Sequence, residues 1–236
     1  MTTIAIIQAR MSSSRFPGKV LADLDGVPMV VFMAQRVMRC RALDQVILAT
    51  SNEASDDPLA QAATTHGLTV FRGPLNDVLG RFAMVQAQYG ADVIVRMTGD
   101  CPLADPAVVA DLVSLRQDQR ADYASNVEPR SYPHGFDCEI FTADALRRAV
   151  TNARDDYDRE HVTPWMRSDQ ADLQRANLHR ETDVSTLRLT VDHPADLDVI
   201  RTVVAGVGPD ASLEKIIQWI AAHPEVMDLN AAHKTL

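Results

Sequence analysis

The chain has 236 residues, 46% of them hydrophobic and 5% aromatic, and a formal net charge of −9. That length allows one large α/β domain or two small ones, and so few aromatics predict a core built from Ala, Val, Leu and Ile. The acidic balance argues against nucleic acid as the main partner, because that would need a basic face, but a nucleotide needs only a local basic pocket.

Thr3–Gln8 reads as a buried strand. It delivers the backbone into Gln8–Leu21, QARMSSSRFPGKVL, which holds Arg10, Arg15 and Lys19 together with Ser12, Ser13 and Ser14. Cations and hydroxyls at a strand end suit a triphosphate: guanidinium groups fork onto phosphate oxygens, lysine adds a point charge, and hydroxyls and backbone amides fill the rest. Phe16–Pro17–Gly18 would fix the loop's shape; the alternative is a solvated basic turn. The loop has neither the glycine spacing of a dinucleotide site nor the full P-loop pattern, which argues against a dehydrogenase or a P-loop kinase.

Strand and helix signals then alternate. Pro28–Arg41 predicts a helix, Gln45–Thr50 a strand, Asp57–His66 a helix ended by Gly67, and Leu68–Phe71 a short strand. Asn76–Tyr89 predicts a helix, Ala91–Met97 a strand and Asp105–Gln117 a helix. This order predicts an α/β fold with a mostly parallel sheet and helices on both faces. After the strand at Val95 comes Arg96–Leu103, RMTGDCPL. Asp100, with Gly before it and Pro soon after, is placed either to hold a divalent cation such as Mg2+ or to cap a turn.

The second half is less regular. Tyr123–Ser125 and Asp137–Thr142 predict short strands, and Ala143–Asn152 and Asp158–Arg167 predict helices. Beside Gly135, Asp137 and Glu139 share one strand face. They are placed to hydrogen-bond a sugar-like acceptor or to face solvent. Arg159 and His161 suit an anionic acceptor, although His161 also fits a helix end stopped by Pro164. Arg188–Val191 predicts a strand ending at Asp192, with Pro194–Ala205 and Ser212–His223 as closing helices. Asp192 is a helix cap or the second carboxylate of a metal clamp with Asp100, and Asp196 falls on a first helical turn, where it complements the dipole.

No repeat or linker stands out, so the expectation is one domain over 1–236 with an acceptor-binding region near 121–187. Ligands of open α/β sheets sit beyond the carboxyl ends of the strands, where the loops after Ile7, Thr50, Val95 and Val191 would meet. The sequence shows no secretory leader pattern and no membrane-spanning apolar run. Cys40, Cys101 and Cys138 show neither disulfide nor metal-ligand spacing. A cytoplasmic setting away from membranes is therefore expected.

The combination resembles the CMP-sugar synthetase-like cytidylyltransferases, in particular the spore-coat SpsF-like branch. IIQARMSSSRFPGKVL, LDQVILATSNEASDD, RGPLNDVLGRF, ADVIVRMTGDCPLADP, HGFDCEIF, REHVTPW and RLTVDHPADL carry the likeness across nearly the whole chain. It implies a Rossmann-like, GT-A-like nucleotidyltransferase core in three layers, CTP as nucleotide, Mg2+ as cofactor and a homodimer. It also implies that Arg10, Ser13, Arg15 and Lys19 hold the CTP phosphates and that Arg72 through Asp77 lie on the nucleotide side. Asp100 and Asp192 match the family's metal acids. Ser12 departs from the pattern, where glycine is common. The acceptor would be an acidic sugar or, alternatively, a phosphonate. A GT-A-like glycosyltransferase and a non-catalytic nucleotide-binding protein are the competing readings; the former usually carries an Asp-Xaa-Asp pair that Asp100–Cys101–Pro102 lacks.

Overall fold

A computed structural model describes residues 1–233. The first strand, β1 (Thr3–Gln8), leads through the Gln8–Leu21 loop to a small hairpin, β2 (Asp23–Leu24) and β3 (Val27–Pro28), and then to helix α1 (Met29–Val37). Next come β4 (Gln45–Ser51), α2 (Asp57–Thr65), β5 (Thr69–Gly73), α3 (Val78–Tyr89), β6 (Val93–Thr98) and α4 (Pro106–Asp118). The later half adds β7 (Tyr123–Ser125), β8 (Glu139–Thr142), α5 (Ala143–Asn152), α6 (Asp156–His161) and α7 (Pro164–Arg167). It ends with β9 (Arg175–Asn177), α8 (Pro194–Val207) and α9 (Leu213–Ala222).

A seven-stranded sheet runs β5-β4-β1-β6-β8-β7-β9. β8 is antiparallel to both neighbours, and the remaining pairs are parallel. β1 sits centrally because its side chains are apolar on both faces. Ala5 and Ile7 pack with Val30, Val31 and Met33 of α1, whereas Ile4 and Ile6 pack with Leu79 and Phe82 of α3. A strand buried on both sides needs a helical layer on each. A third cluster joins α8 and α9 to Met29, Phe32 and the Leu189–Val191 segment.

The structure departs from the expected elements in four places. The helix expected over Pro28–Arg41 is shorter, and Pro28 closes the hairpin, whose turn places Asp25 and Gly26 at φ 55° and 82°. The helix expected over Asp158–Arg167 breaks into α6 and α7 at Val162, which adopts φ 70°, just ahead of Pro164. Arg188–Val191 is not a sheet strand but a wedge: Leu189 N donates to His134 O at 2.6 Å and Val191 N to Asp100 O at 2.8 Å. Gly135 is obligatory beside it, since a Cβ there would lie 2.3 Å from the Leu189 carbonyl. β9 has no counterpart among the expected strands; it and β7 extend the sheet with chain from the 121–187 region.

Candidate active site

The chain leaves β1, crosses to β4 and β5 on one side, and returns to β6 on the other. The crevice beyond the carboxyl ends of β1 and β6 is thus the switch point where α/β sheets bind ligands. The two loops touch there: a Cβ on Gly99 would lie 2.8 Å from the Ala9 Cβ.

The Gln8–Leu21 loop is shaped from within and anchored from beneath. Ser13 N and Gly18 N both donate to Met11 O at 3.0 Å, and Gly18 adopts φ 73° ahead of a short 3-10 turn starting at Lys19. Met11 N donates to Asp56 Oδ1 at 2.7 Å. Asp56 is fully buried, and its other oxygen accepts from Thr50 Oγ1 and from Ser51 N and Oγ. Burial works to raise the Asp56 carboxyl, but these donors hold it below its ordinary range.

Lys19 Nζ is the centre of charge. It donates to Val191 O at 2.6 Å and Asp192 Oδ1 at 3.0 Å, and lies 3.5 Å from Asp100 Oδ2. Arg15 reaches Asp192 at 2.8 Å, and Arg188 reaches it at 3.1 Å. Burial would raise the Asp192 carboxyl, yet Lys19, Arg188 and Arg15 together bring it down to about 2. Asp192 does not cap α8. That task falls to Asp196, whose Oδ2 accepts from Asp192 N and His193 N at 2.9 Å. Asp196, as expected on the first turn, is also forked by Arg188 at 3.1 Å and bonded by Asn230 Nδ2 at 2.9 Å.

A cavity of ≈ 430 Å³ is lined by Arg10, Ser12, Ser13, Ser14, Arg15, Lys19, Asp100 and Asp192, so the expected phosphate and metal residues meet in one place. Arg10 crosses it to Glu160 at 2.9 Å. Asp100 and Asp192 both face Lys19 Nζ, and two convergent carboxylates suit a hard divalent cation that completes its shell with phosphate and water oxygens. Among the described residues no cluster of three or more His, Cys, Asp or Glu forms a metal cage.

A second cavity of ≈ 430 Å³ adjoins the first and is lined by Arg130, Asp137, Glu139, Tyr157, His161 and Arg167, among others. Asp137 is paired with Arg130 and Glu139 with Arg96. Glu139 is buried rather than solvent-facing: burial pushes its carboxyl up, but Arg96 and the Tyr123 and Thr163 hydroxyls hold it below its ordinary range. His161 ends α6 against the Tyr157 ring and lines both cavities.

Three expected residues lie outside both cavities. Arg72 is spent on the Ser51 and Glu53 carbonyls and on Asp57 at 2.7 Å. Asp77 caps α3 through Gly80 N at 2.9 Å and pairs with Arg159 at 2.7 Å, which also withdraws Arg159 from an acceptor. Cys101 and Cys138 are buried, and burial pushes both thiols up, so neither is activated.

Sequence reasoning missed Arg81, Arg96 and Arg188. Arg81 is 2% exposed, lines the first cavity, and leaves Nε and Nη1 without partners among the described residues; burial brings it down to about 10. Its signal was a cation among the apolar positions Val78, Leu79, Phe82 and Val85 of one helix.

The cytidylyltransferase family model matches residues 4–221. The chain belongs to the cytidylyltransferase family. It is 32% identical to the spore coat polysaccharide biosynthesis protein SpsF of Bacillus subtilis, over 93% of this chain and 94% of that one. The 3-deoxy-manno-octulosonate cytidylyltransferase of Geobacter sulfurreducens is 40% identical over 48% of this chain and 45% of its own. A solved cytidylyltransferase from Leptospira borgpetersenii superposes with a TM-score of 0.92 at 30% identity, covering 96% of this chain and 97% of that one. As a family member the chain is a CTP-using nucleotidyltransferase of the α/β nucleotidyltransferase fold, which sets aside the glycosyltransferase reading. No described helix is long and apolar enough to cross a membrane.

Proposed function

We propose that this cytidylyltransferase moves CMP from CTP to a small acidic acceptor, an acidic sugar or a related phosphonate, and releases pyrophosphate. The observation that carries the reading is the meeting of Arg10, Arg15, Lys19, Asp100 and Asp192 in one cavity that opens onto a second polar one. Arg10, Ser12, Ser13, Ser14, Arg15 and Lys19 bind the triphosphate, and the cations take up charge as pyrophosphate departs. Arg81, a buried cation in the lining of the same cavity, adds to the nucleotide's binding. Asp100 and Asp192 would hold Mg2+, which when bound neutralises phosphate charge and polarises oxygen.

The acceptor occupies the second cavity, where Asp137, Arg130, Arg167 and His161 orient its hydroxyls and acid group. Holding both reactants in adjoining cavities supplies the proximity such a transfer needs. The unit spans 1–236, with 121–187 as its acceptor region, and works as a cytoplasmic homodimer.

The test is a thermal-shift panel of CTP, UTP, ATP and GTP with and without Mg2+, followed by pyrophosphate release against sugar acids and phosphonates. CTP at ~100 times its dissociation constant stabilises by about 2.7 kcal/mol. No response to CTP, or an equal response to all four nucleotides, refutes the reading. Sedimentation measures the dimer.

A further inference from the structure

Arg96 stands on the wall between the two cavities. Arg96, Thr98 and His161 line both of them. The Arg96 side chain is 13% exposed and is gripped from both neighbouring strands. Its Nε donates to Gln8 Oε1 of β1 at 3.0 Å, and its Nη1 pairs with Glu139, its direct cross-strand partner on β8. Glu139 in turn accepts from the Tyr123 hydroxyl of β7 at 2.6 Å. Nη2 has no hydrogen-bond partner among the described residues.

An apolar cross-strand pair would fill this part of the sheet at lower desolvation cost. A charged pair held in a network across four strands at a cavity wall instead fixes the direction of one guanidinium. We propose that Arg96 is a catalytic residue that contacts the α-phosphoryl group in transit, with Glu139 the positioning residue behind it. The inference rests on the reading above, which places the nucleotide in one cavity and the acceptor in the other. The reacting phosphorus then lies where the cavities join. There the acceptor-oxygen–phosphorus bond forms as the bond to the α–β bridging oxygen breaks. Pyrophosphate leaves with the electron pair, and the hydroxyl proton passes to solvent. Charge on the non-bridging α-oxygens meets a donor that is already oriented and need not reorganise. Glu139 thereby acts on the transfer through Arg96 rather than by touching the acceptor.

The experiment is calorimetric titration of CTP and the two diastereomers of CTPαS, with Mg2+ and no acceptor. It uses the wild type, Arg96→Lys, Glu139→Gln and the neutral double variant Arg96→Gln/Glu139→Gln, each first checked by thermal unfolding. The double variant removes both buried charges together and keeps the fold. Sulfur facing Arg96 weakens one diastereomer by about tenfold in the wild type, the scale of one charge-assisted hydrogen bond. That discrimination disappears in the double variant, falls in Arg96→Lys and falls in Glu139→Gln, while all still bind CTP. Discrimination that persists in the Arg96 variants, or is absent from the wild type, overturns the proposal. A wild type that does not bind CTP overturns instead the reading beneath it.

Discussion

Replacing Lys19 by Met removes one cation and keeps most of the side chain's bulk. Lys19 and Asp192 are both largely buried, their side chains 10% and 14% exposed, and 3.0 Å apart. The Asp192 carboxyl falls from 3.8 to about 2 against the pull of burial, with Lys19 foremost among the groups that lower it. At ~1.36 kcal/mol per unit, the whole displacement stabilises the fold by about 2 kcal/mol at neutral pH. Lys19→Met should therefore cost about 1–2 kcal/mol, a melting point ~2–8 °C lower for a chain of this size. The sign is fixed by linkage. A carboxyl depressed in the folded state contributes its full stability above the unfolded value near 3.8 and loses it as pH falls through about 2. Urea unfolding at pH 7 and pH 3 should show the gap between wild type and variant shrinking to roughly half at the lower pH. A gap of equal size at both would mean that Lys19 acts through its alkyl stem and the Val191 carbonyl, and the electrostatic argument fails. Pyrophosphate release should also drop by ~100-fold or more, the scale of one lost charge-stabilising donor.

Asp100 has a 3.5 Å contact to Lys19, a 3.5 Å contact from the Cys101 thiol and a side chain 28% exposed. Asp100→Asn should change stability by less than about 1 kcal/mol while weakening Mn2+ binding in the presence of CTP at least ~10-fold; unfolding of the variant would make Asp100 a structural cap. Arg81→Met deletes a buried cation with unpartnered donors, so its melting point should hold or rise, while calorimetry finds CTP bound ~10-fold or more weakly. A lower melting point with unchanged CTP affinity would make Arg81 structural. Arg188→Met strands Asp196, whose side chain is fully buried, and should cost about 3–5 kcal/mol. A melting point within ~2 °C of wild type would show that Asn230 and the helix amides suffice for Asp196.

The central sheet was legible because β1, β4 and β6 are apolar runs between helix-period segments, a pattern that water enforces residue by residue. Where local geometry ruled instead, the periodicity misled. Asp25–Gly26 is a hairpin signal, and it claims Pro28 for β3. Pro164 removes a donor that a continuous helix needs, and Val162 adopts φ 70°, so the run from Asp158 to Arg167 does not stay one helix. β9, Arg175–Asn177, has no apolar alternation at all. It exists because β7 offers it an edge, a fact that lies fifty residues away in the sequence.

The candidate site divides along the same line. Arg10, Arg15, Lys19, Asp100 and Asp192 could be picked out by type and position at strand ends, but who pairs with whom spans most of the chain. That pairing carries a consequence for binding. Lys19 and Arg15 hold the same Asp192 carboxylate that a divalent cation would need. In the proposed reading, a triphosphate that draws Lys19 and Arg15 would leave Asp192 with Arg188 alone, and a cation held by Asp192 and Asp100 would release Lys19. Each ligand thus removes an interaction that opposes the other, and linkage makes the effect reciprocal. Arg188 forks onto the buried Asp196 carboxylate, and that carboxylate accepts from Asp192 N, so the Asp192 backbone is anchored independently of the cation its side chain faces.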